Sequence, residues 1–312
     1  MITSIMEASH PRKRAKLDVA ARVSHLFVKG LTGRSELQSV ELVTERGCRG
    51  CDHENELSPR QVLLTDAAAL GALGLAPGEL RENLVLEGAD WALGRLSSGA
   101  VVRVGDDARL RITMPCEPCS KITQHLVDAR VGPAPRLKDL KAENRRGMLA
   151  TVVRGGTIRV GAAVELEAAA RFERIPTPWA QRVVWLLLKL PPGQVVTCGD
   201  VIKLIGEFPS MARSLPVKLR ALRSEGALDA SRTCRVVNAD GRVAALCDGQ
   251  GPQAEKARQN RELLDALEAE GVRMDAKKPT SHVDLRACRW RPTHADLYLA
   301  DAAGDRSRHF SS

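Results

Sequence analysis

The hydrophobic pattern of this chain changes period once, near residue 175, and no single layer of structure satisfies both halves. Upstream, short β-branched or alternating runs recur at 23–28, 39–44, 60–65, 84–86, 101–104, 109–113, 148–153 and 157–160, punctuated by Gly, Asp and Asn. Side chains alternate faces along a strand, so each run offers one face to a core. Many short strands with one helical insert at 65–75 predict a closed or nearly closed barrel over 22–166. Gly155-Gly156, between the last two runs, predicts a hairpin. Residues 167–174 read as a charged, alanine-rich connector. Downstream, 178–190 is apolar on a helical period. A second helix is expected at 197–206, with Thr197 as its cap and Gly206 as its stop, and a third at 209–223 after a tight turn. Two short helices a few residues apart, with cations on the second, make the helix-turn-helix pattern. Residues 235–238 and 242–246 flank Ala239-Asp240-Gly241 as a hairpin, 256–270 forms an amphipathic helix, and 273–312 is irregular. The expected fold class is two domains: a mostly-β barrel, then a small α+β winged-helix or helix-turn-helix domain over 175–272.

A length of 312 residues suits two domains. The densest apolar run, 183–190, is far short of the roughly 18–20 residues a membrane helix needs, so no membrane partner is expected. The 47 Lys and Arg outnumber the 38 Asp and Glu, a net charge of +9 that favours a polyanion, with double-stranded DNA first among partners. Residues 171–226 hold nine cations against four anions. Ser210, Arg213, Lys218 and Arg220 fall on the third helical segment, where backbone N–H groups and cations together can meet phosphates. Aromatics at 3%, with the single tyrosine Tyr298, argue against a stacking platform for single strands. Residues 1–21 form a basic tail with no apolar period and no secretory leader. Its Arg12, Lys13, Arg14 and Lys16 suit the acidic groove of a nuclear import receptor, which implies a nuclear location, with the cytoplasm as the alternative.

Eight cysteines spread over a long chain read as reduced thiols. Cys48 and Cys51 form one Cys-x-x-Cys pair, Cys116 and Cys119 another. Two such pairs are the usual material of a structural zinc site. Alternatively Cys119, followed by Ser120 and Lys121, acts alone, since a thiolate is both nucleophile and soft-metal ligand. A third reading treats all four as small buried hydrophobes.

Asp52-His53, Arg60-Gln61-Val62, Leu75-Ala76-Pro77-Gly78, Glu82-Asn83-Leu84, Pro118-Cys119-Ser120-Lys121, Arg146-Gly147-Met148 and 155–161 keep a fixed order over some 140 residues. In them the segment 22–165 resembles the MOSC domain, the C-terminal module of molybdenum cofactor sulfurases. The resemblance implies a β-barrel in which Cys119 is the catalytic residue, handling sulfur or ligating the molybdenum of a pterin cofactor. Arg60, Lys121 and Arg146 are the cations it offers to cofactor phosphate. Two departures stand out: Cys51 and Arg81 each replace a glycine of that family with a larger side chain.

Thr177-Pro178-Trp179 through Trp185, Leu190-Pro191-Pro192-Gly193 through Val201, Ile205-Gly206, Ala212-Arg213 and Arg235-Val236-Val237-Asn238-Ala239-Asp240-Gly241 resemble the DNA-binding domain of methylguanine-DNA methyltransferases. That family binds the minor groove with its second helix and pushes an arginine into the base stack; Arg213 holds that place. It then moves an alkyl group onto the cysteine of a Pro-Cys-His-Arg motif. Here the motif reads Arg232-Thr233-Cys234-Arg235, with Thr233 at the nucleophile's place and Cys234 at the histidine's. In extended chain a one-residue slip turns a side chain to the opposite face, and no histidine is left to activate the thiol. Cys198 and Leu222 stand where that family has a tyrosine and an asparagine. The chain therefore resembles alkyltransferase-like proteins, which bind alkylated DNA without repairing it, with Thr233 and Cys234 at the lesion pocket. Three functions follow. The first is a DNA-associated two-module protein with molybdenum-cofactor or sulfur chemistry in the barrel. The second is a non-enzymatic binder of alkylated DNA in repair. The third is an alkyl acceptor using Cys234.

Overall fold

The structure, a computed structural model, describes residues 21–30, 33–54, 57–88, 93–129, 133–167, 174–244, 253–278 and 281–298. The basic tail with Arg12, Lys13, Arg14 and Lys16 lies outside the described residues. Eleven strands come first: β1 (Ala21–Gly30), β2 (Gly33–Leu37), β3 (Ser39–Val43), β4 (Gly47–Cys48), β5 (Val62–Asp66), β6 (Leu84–Glu87), β7 (Val101–Val104), β8 (Ala108–Pro115), β9 (Met148–Arg154), β10 (Gly156–Arg159) and β11 (Ala163–Glu167). Seven of them close into a ring in the order β11-β7-β8-β9-β5-β6-β1, sealed where Ala21 pairs with Val164. β2 hangs on β1 outside the ring, and β10, β3 and β4 make a small second sheet. Only β5 and β6 pair in parallel within the ring, and the crossover between them holds α1 (Ala67–Ala72), whose first turn Asp66 caps through Ala68 N–H. All eight expected strands form. The sealing strand β11, and the short β2 and β4, were not expected.

The hairpin expected at Gly155-Gly156 does not form. β10 leaves the ring and pairs with β3 instead, drawn there where the Gly155 amide donates to Thr44 Oγ1 at 2.8 Å. Two helices, α2 (Ser120–Ala129) and α3 (Leu137–Lys141), also lie between β8 and β9.

Val23, Leu26, Val62, Leu64, Leu110, Ile112, Ala150 and Val152 fill the barrel. The pleat sends Leu63 of β5 and Leu149 of β9 outward, and the register shift between Ile112 and Met114 on the adjacent β8 turns Met114 the same way, so all three face away from that core. They join the core of the second half beneath α4 (Trp179–Lys189). Covered on both faces, β5 and β9 read in sequence as nearly unbroken apolar runs, while β8 alternates Leu110 and Ile112 with Arg109, Arg111 and Thr113.

After α4 come β12 (Val196–Thr197), α5 (Cys198–Leu204), a 3-10 turn (Pro209–Arg213), α6 (Leu215–Ser224), α7 (Ala230–Thr233), β13 (Val236–Val237), α8 (Gln253–Ala269), α9 (Leu285–Cys288) and α10 (His294–Tyr298). Thr197 caps α5 as expected, accepting from Asp200 N–H at 3.1 Å, and Gly206 stops it at a left-handed φ of +73°. The expected helix over 209–223 is split. Pro216 lacks an N–H and is tolerated only in a first turn, so α6 starts afresh there. The expected 235–246 hairpin forms over its described part, where Val237 bridges Val243 and Ala244 N–H donates to Val236 O at 2.8 Å.

The expectation of an irregular stretch after 272 does not hold for 285–298, where α9 and α10 form and Trp290, Leu297 and Tyr298 are buried. Tyr298 pins this segment to the barrel. Its hydroxyl donates to Leu57 O at 3.1 Å, and its ring lies 3.7 Å from the guanidinium carbon of the buried Arg111 on β8. Burial pulls Arg111 down to about 10 and pushes Tyr298 up to about 12, the latter against the pull of Arg111. The Coulomb and cation–π attraction thus works at a dry site, where it is strongest. Among the described residues no helix is long and apolar enough to cross a membrane.

Candidate functional site

The four cysteines of the two Cys-x-x-Cys pairs do not gather. Cys48 and Cys51 lie in the barrel core, Cys116 joins the core of the second half, and Cys119 packs against a third cluster with Phe27, Leu80 and Ile122. No three His, Cys, Asp or Glu side chains converge among the described residues, so the zinc site expected from Cys48, Cys51, Cys116 and Cys119 does not form. The register explains it: Cys116 still hydrogen-bonds as strand, donating from its backbone to Gly147 O at 2.9 Å, while Cys119 already heads a helix.

Cys119 is the one partly exposed thiol among the described cysteines; the other six are buried. Its carbonyl accepts from Ile122 N–H and Thr123 N–H, the opening bonds of α2. It borders a small cleft of about 60 Å³ lined by Arg60, Glu117, Arg182, Glu207 and Phe208. The cleft lies between the two halves. Arg182 of α4 pairs with Glu207, and Gly206 approaches so closely that a Cβ there would sit 2.6 Å from Pro59 Cγ. Arg60 donates to Gly206 O at 3.1 Å. Phe208 lies 5.0 Å from the Arg60 guanidinium carbon and 6.0 Å from Lys121 Nζ, so both cations face its ring.

The pterin cofactor that the resemblance implies does not fit this site. Cofactor sites run to roughly 300–1,000 Å³, several times this cleft. Of the three cations expected on cofactor phosphate, Arg60 donates to Gly206 O and faces the Phe208 ring, and the exposed Lys121 lies 6.0 Å from that ring. Arg146 is buried and donates to Leu80 O, away from the cleft residues. Sequence reading missed Phe208, Arg182 and Glu207, which come to Cys119 from the other half and carry no local signal for it.

In the second half, Leu215, Leu219 and Leu222 turn one face of α6 into the core. Ser210 and Arg213 lie exposed on the 3-10 turn that leads into it, and Lys218 and Arg220 are half-buried along α6. From Phe208 to Ser224 the sequence has four cations, Arg213, Lys218, Arg220 and Arg223, and no acid. The four expected DNA contacts thus lie on one continuous basic segment, which begins at Phe208, a residue lining the Cys119 cleft.

Thr233 and Cys234 are fully buried and line no open lesion pocket. The chain there is helical rather than extended: Thr233 Oγ1 donates to Asp229 O at 2.9 Å and Cys234 Sγ to Ser231 O at 3.3 Å. Both side chains serve their own turn. Burial, with the Glu270 carboxylate next, pushes the Cys234 thiol up to about 12, so it stays protonated and a poor alkyl acceptor at neutral pH. Cys198, where the resemblance expects a tyrosine, donates to Asn238 Oδ1 at 3.7 Å and is pushed by burial up to about 11.

The sequence profile of the MOSC domain matches residues 57–165. No curated protein matches the sequence. Among solved structures, YuaD of Bacillus subtilis is similar at 16% identity, with a TM-score of 0.40 over 47% of this chain and 95% of that one. YiiM of Escherichia coli is similar at 18% identity, with a TM-score of 0.36 over 68% and 97%. Atl1 of S. pombe, solved with damaged DNA containing O6-carboxymethylguanine, is similar at 25% identity, with a TM-score of 0.28 over 36% of this chain and 95% of that one. Likenesses this loose fix no function. The profile match and the closed seven-stranded ring agree, and residues 57–165 are a MOSC domain within a β-barrel.

Proposed function

We propose that this is a DNA-associated protein in which the MOSC domain handles sulfur at Cys119 and the second half holds duplex DNA without alkyl transfer. The placement of Cys119 carries the reading: a partly exposed thiol inside the MOSC match, heading a helix, at a cleft whose far wall runs into the basic segment 208–224. The chemistry it suits is acceptance of sulfane sulfur. The Cys119 thiolate attacks the outer sulfur of a small persulfide, a bond forms to that sulfur, and the donor leaves as a thiolate. The Cys234 environment favours binding over alkyl acceptance, and the N-terminal tail would direct the protein to the nucleus. A second reading, a non-enzymatic binder of alkylated DNA with the barrel as scaffold, draws on the Phe208 lid over the cleft.

Both halves of the proposal are tested on the full chain. Incubation with a small persulfide should add the mass of one sulfur to the Cys119 peptide, and Cys119→Ser should abolish the gain. Duplex binding should weaken with salt, and Arg213→Ala should lower affinity and reduce the log–log salt slope by about one. Molybdenum near one atom per purified chain, or duplex binding indifferent to salt and to Arg213, overturns the reading.

A further inference from the structure

Cys48-Arg49-Gly50-Cys51 is left without a role once the zinc site fails, and Cys51 is one of the two side chains this sequence sets in a glycine's place. The segment is a tight turn: Cys51 N–H donates to Cys48 O at 3.1 Å, and Gly50, at the third position, takes φ +75°. A type II turn demands that left-handed value there, and its ends lie within about 7 Å. A disulfide spans Cα separations of about 4.4–6.8 Å, so the backbone already brackets the distance such a bond needs. Both side chains sit in one buried cluster with Val40 and Leu42.

The two thiols are unequal. Cys51 Sγ accepts from Asn83 Nδ2 at 3.6 Å and lies 4.0 Å from His53 Nδ1. Burial pushes the Cys51 thiol up, but hydrogen bonds from His53, Asn83 and nearby backbone outweigh it and hold the group at about 7. Burial, with the Cys51 charge next, pushes Cys48 well up. One sulfur is thus poised as thiolate and the other held as thiol, the asymmetry that thiol–disulfide exchange uses.

We propose that Cys48 and Cys51 form a redox-active dithiol that exchanges with small disulfides. The Cys51 thiolate attacks one sulfur of the small disulfide; that S–S bond breaks, and the leaving thiolate takes up a proton. The mixed disulfide removes the Cys51 charge that opposed ionisation of Cys48. Cys48 then gives its proton to the second leaving thiolate and attacks Cys51 Sγ. The protein dithiol is oxidised by two electrons and the small disulfide is reduced to two thiols.

The test uses reduced full-length protein and glutathione disulfide, followed by alkylation and trypsin. Trypsin cuts after Arg49, between the two cysteines, so the halves stay joined only through the new bond. Wild type should yield the joined peptide, lighter by two hydrogens than its reduced parts. Cys48→Ser should stop with glutathione on Cys51, and alkylation of Cys51 in that variant should rise with a midpoint near pH 7. Cys51→Ser should give neither product. The proposal is overturned if wild type gives no joined peptide, or if Cys48 takes up glutathione as fast without Cys51.

Discussion

Cys48 and Cys51 end in one buried cluster inside the barrel, whereas Cys116 and Cys119, with the same spacing, end in two. The residues between decide it. Arg49-Gly50 permits a left-handed third position, and the turn closes on itself. Glu117-Pro118 cannot do this: Pro118 fixes its φ and has no N–H, and the chain passes from strand β8 into helix α2. The second pair also lies where the C-terminal half docks, so its exposure is set by a remote segment, while that of the first is set by its own turn. Equal spacing therefore says little about shared ligands until the intervening residues are weighed.

Breaking the dock should separate the pairs most sharply. Tyr298→Ala removes a buried ring and leaves the Arg111 guanidinium without its stacking partner. Truncations of this kind cost about 3–5 kcal/mol. Denaturant unfolding should report that loss, and alkylation of Cys116 should accelerate strongly while Cys51 keeps its rate. Equal acceleration at Cys51 would mean that the barrel and the dock unfold as one.

Acid attacks the same dock. His294 on α10 sits edge-on to Tyr298 with its ring centroid 4.7 Å away, and burial, with Arg111 next, lowers its pKa from 6.5 to about 4. The Glu45 carboxylate 4.0 Å from Nδ1 is half-exposed and does not reverse this. A base whose folded pKa is depressed stabilises the fold fully above its unfolded pKa. As pH falls from 6.5 towards 4 the unfolded chain takes up a proton that the fold refuses, and about 3 kcal/mol is lost. Unfolding free energy measured across that window should fall in wild type and stay flatter in His294→Leu. An identical slope in both places the acid sensitivity elsewhere.

The barrel was legible because its strands bury one or both faces, and burial writes a period of two, or an unbroken apolar run, into the sequence. β11 was missed because Ala163–Glu167 is short, charged and mostly half-exposed, although it seals the ring. The basic segment 208–224 was legible as charge, but its split at Pro216 was not, since the apolar period of α6 runs on through the proline. Cys119 was legible beside Ser120 and Lys121 as one of three readings of the cysteines, and the resemblance singled it out. Phe208, which lines the same cleft, was not, because the two are brought together by a dock between halves that leaves no mark in either local pattern. Thr233 and Cys234 were read as extended chain beside a pocket, yet Asp229 caps a short helix there through Arg232 N–H and turns both inward.

The smallest expected effect is the most selective. Phe208 is 36% exposed and touches the barrel chiefly through the cations Arg60 and Lys121. An exposed cation–π contact is worth about 0.5–1 kcal/mol, so Phe208→Ala should barely move stability. It should nonetheless uncover the cleft and raise alkylation of Cys119 several-fold, with Cys51 unchanged, since nothing in the first pair rests on this residue. Because Phe208 opens the basic segment that reaches Arg213, saturating duplex should raise the Cys119 rate in wild type and add nothing in the variant. Equal acceleration by duplex in both proteins would show that Phe208 is not what covers the thiol.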